Sequence, residues 1–72
     1  MTDAEVIDAF TQLGIAKHPI ATAMWTHKGV EYHVSHGMLL AYAQPFVGQP
    51  RRATWSKLTS EIDGHDLLEM FG

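Results

Sequence analysis

Seventy-two residues leave room for one hydrophobic core and no second domain. A hydrophobic content of 46% against 18% charged residues is too apolar for a disordered chain. The chain has no cysteine, which excludes disulfides and thiolate metal sites, and its formal net charge of −3 argues against a duplex-binding surface, whose affinity comes from neutralising phosphates.

The acidic start, Met1 to Glu5, lacks the apolar stretch of a signal peptide, and no apolar run approaches the roughly 18 residues that span a bilayer. The expectation is one cytoplasmic domain, 1–72, with no membrane contact. A chain this small without staples relies on packing, and a homodimer interface is one way to bury more surface.

Thr2-Asp3-Ala4-Glu5 matches a capping box. Val6, Phe10 and Leu13 then fall on one helical stripe, and Gly14 followed by Ile15 fits a Schellman close. The pattern predicts a helix over 3–13. Pro19 biases His18 to an extended conformation, and a hairpin follows. Its arms are 20–26 and 30–34, around His27-Lys28-Gly29. A two-residue Lys28-Gly29 turn would place Lys28 at positive φ. A type I turn through His27-Lys28, with Gly29 as the bulge residue, asks that only of glycine and is the expected form. It pairs Thr26 with Val30, Met24 with Tyr32 and Thr22 with Val34. Ile20, Met24, Val30, Tyr32 and Val34 then face the core, and Trp25, Glu31 and His33 face outward.

Ser35-His36-Gly37 makes a second turn. Residues 38–44 are good helix formers, yet their length and the turn before them predict a third strand, with Leu39 beside Val34 and Ala41 beside Tyr32. Residues 44–53 contain Pro45, Gly48, Pro50 and the pair Arg51-Arg52, and read as an exposed loop. Thr54 is placed to cap a second helix carrying Trp55, Leu58 and Ile62 on one stripe, ended by Asp63-Gly64. Leu67, Leu68, Met70 and Phe71 fall out of phase with that stripe and predict a separate short terminal helix. The order is α-β-β-β-α: an α+β domain with a three-stranded antiparallel sheet, N-terminal and C-terminal helices on one face, and a terminal helical turn. In topology this resembles double-stranded-RNA-binding domains and small toxin ribonucleases. The chain has neither a Gly-Ser-His-His stretch before the sheet nor a Lys-Lys-Xaa-Ala-Lys-type cluster opening the last helix.

No stretch carries a specific catalytic or ligand motif. The five histidines scatter: His18 and His36 at one end of the sheet, His27 at the other, His33 on the outer face. They read as turn and edge residues, with no metal and no cofactor expected. Ser35 and Ser60 have no motif supplying a base, and Asp63 and Asp66 sit at a helix break where capping explains them better than acid–base work. The chain is expected not to be an enzyme.

Two surfaces remain. Arg51, Arg52 and Lys57, three of the five Lys and Arg residues, surround Trp55. They would load positive charge at the start of the predicted second helix, with Glu61 and Asp63 at its end, against the helix dipole. The outer sheet face gathers Trp25, Glu31, His33 and Tyr42, with Met38 and Leu40, and makes the third strand apolar on both sides. The expected function is a non-catalytic protein-binding module, a small regulator or inhibitor, using that face and the basic loop. Its partner would be another protein or a second copy. The alternative is a small RNA- or DNA-binding domain using Arg51, Arg52, Lys57 and Trp55.

Overall fold

The computed structural model describes residues 1–20, 23–42 and 52–72. Helix α1, Asp3–Gln12, starts where the capping box predicts. The Thr2 N–H donates to Glu5 Oε1 at 3.0 Å, and the Glu5 N–H to Thr2 Oγ1 at 3.2 Å. The backbone N–H of Thr2 first, and then its hydroxyl, hold the Glu5 carboxyl below its usual range. The helix closes with both Schellman bonds, Ile15 N–H to the Phe10 carbonyl at 3.0 Å and Gly14 N–H to the Thr11 carbonyl at 3.2 Å.

The described strands form one antiparallel sheet of five in sequence order, not three: β1 (Ala16–Lys17), β2 (Met24–His27), β3 (Val30–Ser35), β4 (Met38–Tyr42) and β5 (Ala53–Leu58). The expectation of three strands therefore fails. So does the topological likeness built on it.

The first hairpin takes the register that strand economy disfavours. Lys28 and Gly29 form a two-residue turn with φ of 49° and 79°, and His27 pairs with Val30, Trp25 with Tyr32 and Met24 with His33. The second turn, His36-Gly37, repeats this at 52° and 77°. Turns with two positive φ values match the right-handed twist of the flanking strands, and that gain outweighs the cost of one side chain in the left-handed region. The shift of one residue moves Trp25 to the core, where it is 4% exposed, and sends Met24 outward. Ile20, expected inside, is 88% exposed. The expected contacts Leu39 with Val34 and Ala41 with Tyr32 are present.

Residues 54–58, expected to be helical, pair with β4 instead: Leu39 with Lys57 and Ala41 with Trp55, with a bulge near Ala41 and Tyr42. An isolated ten-residue helix is marginal, whereas pairing satisfies the backbone of β4, a strand apolar on both sides. The ladder runs on as the Thr59 N–H donates to the Gly37 carbonyl at 2.9 Å. A single 3-10 turn, Thr59–Glu61, leads to α2, Gly64–Phe71. Asp63 begins this helix and does not end the one before it. Its Oδ1 accepts from the Asp66 N–H, and Asp66 Oδ2 accepts from the Asp63 N–H, both at 2.9 Å. The backbone bond from Asp66 is the main cause of a lowered Asp63 pKa.

Both helices share one core with the inward side of the sheet: Val6 and Phe10 of α1 and Leu67 and Phe71 of α2 pack with Trp25, Val34 and Leu39. Phe10 stands at the centre, 5.2 Å from the Trp25 ring and 5.1 Å from Phe71, and Tyr32 meets Phe71 at 4.9 Å. Such tilted and edge-on pairs add to the burial of their area. Two polar ties lock the end of α1 to the sheet. Asp3 accepts from Thr59 Oγ1 at 2.9 Å and from the Gly37 N–H at 3.1 Å, and the Met1 ammonium donates to the Thr59 and Ile62 carbonyls at 2.8 Å each.

Candidate protein-binding surface

Side chains alternate across a strand, so the buried Val34 and Leu39 fix the orientation of every neighbour. On β3, Glu31, His33 and Ser35 point away from the helices. On β4, Met38, Leu40 and Tyr42 do the same. The register sets them in rows: Met24, His33, Leu40 and Ser56 in one; Thr26, Glu31, Tyr42 and Ala53 in the next; Ser35, Met38 and Leu58 in the third. None of Met24, Met38, Leu40 or Leu58 belongs to the core cluster, and Leu58 is 45% exposed. Glu31 is the sole Asp, Glu, Lys or Arg in these rows. A sheet face turned to water ordinarily alternates polar side chains outward. This one carries a single charge among Met24, Met38, Leu40, Tyr42 and Leu58.

The face thus gathers Glu31, His33 and Tyr42 of the expected binding residues, with Glu31 and Tyr42 directly opposite each other. Trp25 does not belong to it, because the hairpin register buries that ring against Phe10. Met24 and Leu58 belong to it and were not expected. The first follows from the Lys28-Gly29 turn, and the second from β5 being a strand.

The basic cluster is not assembled as expected. Arg51 lies outside the described residues, and Arg52 is exposed ahead of β5. Lys57 sits on the inward side of β5 with its Nζ 3.9 Å from Asp66 Oδ2. With 54–58 a strand, the anticipated conflict with a helix dipole disappears. Trp55, also on the inward side, is 37% exposed at the sheet edge.

The histidines do not converge. His27 meets the edge of Phe71 at 5.2 Å with its Nε2 lacking a hydrogen-bond partner, so it is a core-facing residue and not a turn residue. His65 Nε2 lies 3.0 Å from Glu69 Oε1 along α2. Among the described residues no three His, Cys, Asp or Glu side chains are grouped to hold a metal ion. On the other side of the molecule, Ala9 and Gln12 of α1, the capping Leu13, and Gly64, Leu67 and Leu68 of α2 line an open apolar cleft of about 220 Å³. No helix of the described residues is long and apolar enough to cross a membrane.

Comparison with protein-family models, with curated proteins and with solved structures finds no match for this chain.

Proposed function

We propose that the chain is a non-catalytic protein-binding module, a small regulator or inhibitor, whose outer sheet face receives an apolar surface of another protein. The observation that carries this reading is the composition of that face: Met24, Met38, Leu40, Tyr42 and Leu58 around one charge, Glu31, on the side of the sheet away from both helices. Exposed apolar patches on small domains mark partner sites, and depletion of charge at the centre is a feature of such interfaces. The pair Asp63 and Asp66, the nearest approach to an acid–base couple in the sequence, is engaged in capping α2, which supports a non-catalytic reading.

The alternative, a nucleic-acid-binding domain using Arg51, Arg52, Lys57 and Trp55, draws support from the exposed Trp55 edge and loses some from the engagement of Lys57 by Asp66. Affinity capture from the native host with wild-type and Leu40→Asp baits separates the two. A protein retained through a rise in salt and lost with Leu40→Asp is the expected result. Captured nucleic acid that leaves steeply with salt, or capture indifferent to Leu40→Asp, would sink the proposal.

A further inference from the structure

Two of the four large apolar side chains that remain exposed among the described residues, Trp55 and Leu58, lie on one strand, β5, at the free end of the sheet. Ordinary edge strands are protected by outward charge, proline or extreme shortness. Strand β5 is six residues long, contains no proline, and its one charge, Lys57, is drawn back onto α2 by Asp66.

The direction of its backbone groups follows from the neighbouring hairpin. Ser35 and Met38 flank a two-residue turn and so exchange both hydrogen bonds; bonding then alternates along β4. Leu39 and Ala41 turn their N–H and C=O groups toward β5, and Lys57 and Trp55 turn theirs back. The bond from the Thr59 N–H to the Gly37 carbonyl keeps the same phase. Ser56 and Leu58 therefore direct their backbone donors and acceptors outward, along the edge.

We propose that β5 is a self-association edge, pairing antiparallel with β5 of a second copy about a two-fold axis at Ser56. The choice of a second copy rests on self-complementarity. In this register Trp55 stands opposite Lys57 of the other copy, and Lys57 opposite its Trp55, so the stem of each lysine, its ammonium drawn toward Asp66, lies along an indole face on the helix side of the sheet. On the outer side the two Ser56 side chains meet at the axis, with Leu58 of each copy two residues along the strand. The inference does not depend on what the outer face binds.

Light scattering on the full chain over about 10–500 µM should show a concentration-dependent dimer, in the range expected of a small interface. Trp55→Lys opposes two ammonium groups and should shift the midpoint of dimerisation upward about tenfold or more; adding Lys57→Glu should restore it. Circular dichroism confirms that each variant is folded. Because the chain has no cysteine, Ser56→Cys is an independent probe. Opposed residues about 5.5 Å apart suit a disulfide, so mild oxidation should cross-link Ser56→Cys about tenfold faster than a Ser60→Cys control. A monomer at every concentration, a dimer indifferent to Trp55→Lys, or equal cross-linking at the two positions would overturn the proposal.

Discussion

Strand β4 presents similar chemistry to its two sides and meets two different fates. Leu39 and Ala41 point toward the helices and are 0% and 6% exposed. Met38, Leu40 and Tyr42 point the other way and stay partly open. Hydrophobicity does not distinguish the two sets; coverage does. Two helices of ten and eight residues bury the centre of one face of this sheet, and both pack against the same one. The inner face is spent on stability, and neither helix covers the outer one.

Substitutions can break this comparison from either side. The largest effect is expected for Trp25→Ala, which removes a ring packed on Phe10 and should cost about 3–5 kcal/mol, read by chemical denaturation. A near-neutral result would return Trp25 to the outer face and restore the bulged register. Next, Leu39→Ala should cost about 2–5 kcal/mol, and Leu40→Ala, one residue away, less than about 1 kcal/mol. Equal losses would mean that the outer face is buried in the folded chain. Asp3→Ala removes the acceptor of Thr59 and Gly37 and should cost about 1–2 kcal/mol, with faster hydrogen exchange at the Gly37 amide. Lys28→Asn suits a turn position at positive φ and should stabilise by about 0.5 kcal/mol, read as a higher Tm.

The smallest expected effect is that of acid. Glu5 and Asp63 have folded pKa values lowered by their capping bonds. The unfolded chain binds more protons in the window between folded and unfolded values. Their contribution is therefore full above the ordinary carboxylate range and is lost as pH falls through the lowered values. Denaturation midpoints should be flat from neutral pH down to about 5 and decline below that. Alanine at Glu5 and Asp63, which removes the titrating carboxyls, should flatten the decline.

Local chemistry was legible in the sequence wherever neighbours in sequence settle the outcome. The Thr2–Glu5 box, the Gly14 close and the break before α2 are each made within a few residues. The strand over 38–42 was legible because the His36-Gly37 turn set its register against β3. Two features were not. The first hairpin hung on one residue of register, where the twist of a paired ribbon outweighs the preference of lysine. Strand β5 was hidden because an edge strand exposed at five of its six residues imprints no period-two pattern, while Trp55, Leu58 and Ile62 mimic a helical stripe. Of the outer face, Glu31, His33, Met38, Leu40 and Tyr42 were placed correctly from alternation alone. Trp25 and Met24 exchanged sides with the register.

The order of the strands also bears on how the chain folds. Each described strand pairs with its neighbour in sequence, so the sheet can grow by successive short loop closures, at small entropic cost for each. The bonds that Asp3 accepts from Gly37 and from Thr59 are of another kind, bridging 34 and 56 residues. They form only when the meander is complete enough to bring both acceptor-seeking groups together. The first turn of α1 thus serves as a clasp on a finished sheet: late to close, and first to show an opening that leaves the hairpins paired.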